Sequence, residues 1–236
     1  MNQNYIGYKL LSNFSKLTST KVDNITLPKT NFAPSYNKYI SFGDSLHICL
    51  EKYNNSFKNK RRLNYNSIEE LLKSSWISIG YDSKEEEKEF YIKALSILKC
   101  YFSDRKDKEN RTLFVEEKLT KVLSNDVVLF GKPDKIYINT NGELEIVDYK
   151  ATGSMSYHLN PLYDIQLLLY IILVKEKTGL YPSIVSRYYL CFNKKISHRL
   201  TNEDITLIET YFSTVLPIIQ DYYSNSASKP PKTIAN

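Results

Sequence analysis

The chain has 236 residues, 42% hydrophobic and 25% charged, with a formal net charge of +6; that length supports one sizeable core in one mixed α/β domain, and the charge admits a polyanionic partner without demanding one. No apolar run reaches the 18 residues a membrane helix needs, and the first residues lack the apolar core and cleavage site of a signal peptide, so a soluble, intracellular (cytoplasmic) protein with no membrane partner is expected. Cys49, Cys100 and Cys191 are scattered with no CxxC pair, which disfavours a disulfide framework and a zinc or iron–sulfur site.

Residues 1–40 are polar and weakly periodic and read as an irregular segment. From Ser41 the spacing of Leu46, Leu50, Tyr53 and Phe57 predicts a helix. SIEELLKSSW carries a capping box, Ser67 with Glu70, and SKEEEKEFYIKALSILKCYF repeats it with Ser83 and Glu86 before a helix to about Phe102. The charged stretch 103–111 reads as a solvated connector. Three β-rich segments follow: TLFVEEKLTKV, VVLFGKPDKIYI and ELEIVDYKAT. Asn141-Gly142 marks a hairpin between the last two. YDIQLLLYIILVKEKTG is apolar nearly all round and reads as a buried helix stopped by Gly179. IVSRYYLCF is a further strand. A final helix runs from about Thr201, with Asp204 at the capping-box position, to Tyr223, with a kink expected at Pro217. Residues 224–236 have the composition of a disordered tail. The order predicts an N-terminal helical part (41–103), a β-β-β-α-β core (112–192) and a C-terminal helix (201–223), all in one domain built as an α/β sandwich on a mixed sheet.

Strand residues two apart share a face. Leu144, Ile146, Asp148 and Lys150 therefore point one way, as do Val128, Phe130, Lys132, Asp134, Ile136 and Ile138. Both faces are mainly apolar, so Asp134 and Asp148 are directed at the core of neighbouring strands. An unpartnered buried carboxylate costs several kcal/mol, and two repel each other. Three resolutions stand open at this point: exposed groups, ion pairs with Lys150 and Lys132, or a divalent cation between the carboxylates. Pro133 cannot donate to a ladder, which sets Asp134 at a strand end, an edge or a bulge.

GKPD at 131–134 followed by DYK at 148–150 resembles the signature of the PD-(D/E)xK nucleases. The surroundings are similar to the RecB-like branch, which includes CRISPR-associated and phage recombination nucleases. FGDSLHICLEKY matches that branch's Gly-x-x-x-His segment at His47. VEEKL matches its Val-Glu segment, with Glu116 the better match than Glu117. QLLLY supplies the Gln-x-x-x-Tyr pair, Gln166 and Tyr170. Covering roughly 41–192, the resemblance implies a restriction-endonuclease-like core. Many relatives carry a C-terminal cysteine cluster; this chain has no cysteine there, and no iron–sulfur cluster is expected.

The resemblance implies a divalent-metal-dependent nuclease that hydrolyses phosphodiester bonds in DNA, acting as an exonuclease or on ends and single strands in recombination, repair or replication. Mg²⁺ or Mn²⁺ would be held by His47, Asp134, Asp148 and the Tyr149 backbone carbonyl, a histidine ligand favouring Mn²⁺. Asp134, Asp148, Lys150 and Glu116 form the implied catalytic set. Lys150 shares Asp148's face and is assigned water positioning and transition-state stabilisation. Gln166 and Tyr170 lie one helical turn apart and either form a buried polar pair or, as the resemblance implies, touch DNA or order Lys150. Lys132 and Arg187 are either phosphate contacts or ordinary surface charge. Any motor, such as a helicase or recombination partner, would be a separate chain, since no phosphate-binding Gly-rich loop is present. The alternative function is a catalytically silent DNA-binding or scaffolding domain; such domains lose an acid or the lysine, and here all three are present.

Overall fold

The computed structural model describes residues 4–7, 36–58, 65–103, 111–124, 127–156, 160 and 164–226. Helix α1, Lys38–Lys58, starts where the Asn37 side chain accepts from the N–H groups of Tyr39 and Ile40. It buries Leu46, Leu50 and Tyr53 as their spacing predicts. Helix α2 is Tyr65–Lys73, so Ser67 lies inside it and the capping box read there does not mark its start. Helix α3 is Lys84–Ser103 and uses the second box: the N–H of Glu86 donates to Ser83 Oγ at 3.1 Å, and Glu86 Oε2 accepts from the Asp82 N–H at 2.8 Å. Most of the N-terminal segment, connector residues 104–110 and tail residues 227–236 lie outside the described residues.

The predicted β segments divide more finely than their pattern suggests. β2 (Arg111–Val115) and β3 (Leu119–Ser124) come from one segment, and β4 (Val127–Gly131) and β5 (Lys135–Ile138) from the next. A five-stranded sheet has the order β2-β5-β6-β7-β8, with β6 at Leu144–Lys150, β7 at Ile184–Tyr189 and β8 at Lys194–Arg199. A three-stranded sheet, β1-β4-β3, includes a short strand β1, Asn4–Ile6, in the part read as irregular. Between β2 and β5 the chain thus changes sheet twice, at 116–118 and at 132–134. The second change breaks the common face expected from Val128 to Ile138: Pro133 has no N–H for a ladder, and the strand ends there. Strand β8 carries only exposed and half-buried residues, so its apolar signal is weak and the sequence reading passes over it.

β5 and β6 pair antiparallel through a turn in which Gly142 takes φ +78°, the left-handed conformation the Asn-Gly pair predicts. β6 and β7 pair in parallel, so a crossover is required. Helix α4, Ile165–Thr178, supplies it, capped by Asp164 and ended by Gly179, with Leu167 to Val174 all buried. Helix α5, Asn202–Ser226, contains Pro217 and extends three residues into the predicted tail. One core lies on the β6 face carrying Leu144 and Ile146, with α4 and α5. The other lies on the face carrying Val147 and Tyr149, with α1, α2 and α3.

Candidate active site

Asp134 sits where the β5–β6 ladder runs out. The last register pair is Lys135 with Val147, so the N–H of Tyr149 has no β5 carbonyl to meet. It donates to Asp134 Oδ2 at 2.5 Å, which satisfies a buried donor and fixes the carboxylate. Across the gap, the other sheet crossover brings Glu116 alongside, its N–H bonded to the Asp134 carbonyl at 3.1 Å and its φ at +48°. His47, on α1, reaches both: Nδ1 is 3.3 Å from Asp134 Oδ1 and 3.7 Å from Glu116 Oε1. One ligand atom from each of His47, Glu116 and Asp134 lies within 4.8 Å of the others. Glu51, one turn along α1 from His47, lies 3.9 Å from Lys132 Nζ.

Burial, with added repulsion from Asp148 and Glu116, pushes the Asp134 carboxyl up to about 6 against the opposing pull of His47. Burial alone would lower His47, but hydrogen bonds to Asp134 and Glu116 and their charges carry it up to about 10. Glu116 resists burial and stays below the usual carboxylate range through His47 and Lys132, the Lys132 ammonium standing 3.0 Å from Oε2. The buried Asp134 and the half-buried Glu116 therefore both face one imidazole, and a divalent cation among them would take over the role of its positive charge. Hard carboxylate oxygens with one ring nitrogen suit Mg²⁺ or Mn²⁺, and Asp148, close enough for its charge to act on Asp134, adds a further carboxylate beside them.

Asp148 itself is 2% exposed and lies between two cations. Lys150 Nζ is 3.1 Å from Oδ1 and 2.8 Å from Oδ2, and Arg187 Nε is 3.5 Å from Oδ2. The approaches to Oδ2 neutralise charge but lack hydrogen-bond alignment, which among the described residues leaves that oxygen and Arg187 Nε without a hydrogen bond. Lys150 Nζ also donates to Gln166 Oε1 at 3.4 Å, Gln166 Nε2 to the Tyr170 hydroxyl at 2.9 Å, and that hydroxyl to the Lys132 carbonyl at 3.1 Å. This chain of bonds decides the amide orientation: the Gln166 oxygen faces the ammonium. The Tyr149 side chain points to the opposite core, where its hydroxyl meets those of Tyr101 at 2.7 Å and Asn54 Nδ2 at 3.3 Å.

The structure thus groups His47, Glu116 and Asp134 around one point, and Asp148, Lys150, Gln166 and Tyr170 around an adjacent one. Lys132 is half exposed at the rim. Arg187 is half-buried, its guanidinium in contact with Asp148 and Asp164. Asp164 is absent from the motif reading, although a short carboxylate directly before a buried helix is an N-cap signal.

A five-stranded mixed sheet flanked by helices, with an acid at the end of one strand and Asp-x-Lys on its neighbour, defines the restriction-endonuclease-like class of α/β proteins. The chain belongs to the PD-(D/E)XK nuclease superfamily, whose sequence model matches residues 21–228. Comparison with curated proteins gives no match. Among solved structures it is similar to a "Putative exonuclease" from Eubacterium rectale, at 16% identity and TM-score 0.44, covering 90% of this chain and 80% of that one. It is also similar to SSO0001, at 12% identity and TM-score 0.28, covering 88% and 84%. Among the described residues, no helix is long and apolar enough to cross a membrane.

Proposed function

We propose that the chain is a divalent-metal-dependent nuclease of the RecB-like branch that hydrolyses phosphodiester bonds in DNA, acting at ends or on single strands. The observation that carries this reading is the convergence of His47, Glu116 and Asp134 within 4.8 Å, beside the ion pair of buried Asp148 with half-buried Lys150. His47, Asp134, Asp148 and the Tyr149 carbonyl are the residues that would hold Mg²⁺ or Mn²⁺, with Glu116 joining them. A divalent cation bound there supplies acidified water and neutralises charge at the scissile phosphate.

The chain's own groups complete the chemistry. Lys150 is braced by Asp148 on one side and Gln166 on the other, so its ammonium is held ready to donate to an attacking water or to a phosphate oxygen as charge builds there. Tyr170 locks the Gln166 amide through the Lys132 carbonyl, which keeps Lys150 from swinging away. The exposed half of Lys132 is suited to a phosphate at the entrance, while its ammonium balances Glu116.

The test is cleavage of labelled single- and double-stranded DNA with Mg²⁺ or Mn²⁺ by the wild type, Asp148→Ala and Lys150→Ala. Metal-dependent cleavage lost in both variants, with DNA binding retained, is the expected result. Cleavage unchanged in both would remove this site, and retained binding without cleavage in the wild type would mark a scaffolding domain.

A further inference from the structure

We propose that Arg187 and Asp164 are a positioning pair that holds the Asp148 carboxylate in place, and that Arg187 acts through Asp148 and not on the phosphate backbone. This inference rests on the nuclease reading above. Arg187 lies on β7 in direct register with Asp148 on β6. Its Nε approaches Asp148 Oδ2 at 3.5 Å, and its Nη2 is in close contact with Asp164 Oδ2. The Arg187 side chain is 18% exposed, so its charge lies between two carboxylates, in ion-pair contact with each, and little of it faces solvent.

Asp164 divides its two oxygens between two tasks. Oδ1 accepts from the N–H groups of Gln166 at 2.9 Å and Leu167 at 3.2 Å, which caps α4. Oδ2 holds Arg187. The helix that carries Gln166 is therefore tied through one aspartate and one arginine to the strand that carries Asp148. Lys150, between Gln166 and Asp148, is framed on both sides by this tie. With Arg187 removed, Lys150 is left, among the described residues, as the single cation contacting a carboxylate that is 2% exposed. The ammonium is then drawn onto Asp148, and the carboxylate loses its fixed direction.

The experiment uses the full chain and the variants Arg187→Met, Arg187→Lys and Asp164→Asn. Asparagine caps a helix as well as aspartate, so Asp164→Asn keeps α4 capped while removing the charge that holds Arg187. Calorimetry with Mn²⁺ alone reads metal affinity, filter binding over a salt series without divalent metal reads DNA contact, and steady-state cleavage separates kcat from KM. Arg187→Met and Asp164→Asn should each weaken Mn²⁺ binding and lower kcat by about 10- to 100-fold, as outer-shell substitutions do. KM and the slope of log affinity against log salt should stay unchanged, Arg187→Lys should recover part of the loss, and the double variant should lose no more than either single. The proposal is overturned if Arg187→Met leaves Mn²⁺ affinity and kcat intact while weakening DNA binding and reducing the salt slope by about one, the signature of a phosphate contact. Should Arg187→Met fail to fold, Asp164→Asn decides alone: unchanged Mn²⁺ affinity with an unchanged melting midpoint overturns the pairing. The Mn²⁺ measurement does not need turnover, so a wild type that binds metal but cuts nothing would refute the nuclease reading and still decide this one.

Discussion

Glu116 holds a left-handed backbone, φ +48°, that a glutamate adopts at a cost of about 1–3 kcal/mol. The crossing between sheets imposes it, and the side chain is thereby delivered to His47 and Lys132. Asparagine tolerates this region, so Glu116→Asn should leave the metal-free melting midpoint unchanged or higher while Mn²⁺ affinity falls by about tenfold or more. A midpoint lowered with Mn²⁺ affinity intact would make Glu116 a structural partner of Lys132. His47 gives a pH prediction. Its pKa in the folded protein is about 10, above the ordinary 6.5, so the stability it contributes without metal is fully present below 6.5 and fades as pH rises through about 10. A ligating ring nitrogen must lose that proton, so Mn²⁺ affinity should rise with pH from neutrality toward 10 and release protons, measurable as a buffer-dependent heat. A pH-independent affinity, unaltered in His47→Ala, would separate His47 from the metal. The sequence placed His47, Asp134 and Asp148 as candidates; it could not say that His47 faces Asp134, since that contact joins α1 to the residue just before β5.

At the scale of elements, the buried helix α4 and its partner strand show how closely the scaffold is set. A Cβ on Gly131 would lie 2.8 Å from Leu173 Cδ1 and 2.9 Å from Tyr170 Cε1. Gly131→Ala should therefore destabilise by about 1–3 kcal/mol in denaturant unfolding. It should also lower kcat by displacing Tyr170 from Gln166 and the Lys132 carbonyl. Unchanged stability would mean that α4 can slide, and the close packing would then not position the site. Helix signals were uneven in the sequence. Ser83 with Glu86 marks a true start, whereas Ser67 with Glu70 falls within α2. A capping box is a local option that the surrounding chain can bypass by starting the helix earlier. Strand pattern was legible, yet strand number was not: a period of two continues smoothly across Glu116 and Pro133, where the chain passes from one sheet to the other.

At the scale of the molecule, the five-stranded sheet separates two cores, and Ile146 and Val147, adjacent in sequence and both fully buried, each belong to one. Neither core is built on the His47, Glu116, Asp134 or Asp148 side chains, so the fold should not depend on metal. Chelation should leave far-ultraviolet circular dichroism unchanged, while Mn²⁺ at a hundred times its dissociation constant should add about 2.7 kcal/mol to stability. That gain should vanish in Asp134→Ala. Unfolding on chelation would show instead that the metal organises the fold.

What the amino-acid sequence determined by itself was whatever depends on near neighbours along the chain. That includes the Asn-Gly hairpin setting β5 beside β6, the inward face shared by Asp148 and Lys150, the turn-spaced Gln166 and Tyr170, and the order of motifs from His47 onward. The tertiary structure decided the rest: which sheet each strand joins, that Glu116 comes alongside Asp134, and that Asp148 turns toward Lys150 and Arg187. Those outcomes depend on β6 pairing with β7 across an entire intervening helix and on two sheet crossings meeting at one point. Burial and charge balance over the assembled chain select such contacts, and no local periodicity encodes them.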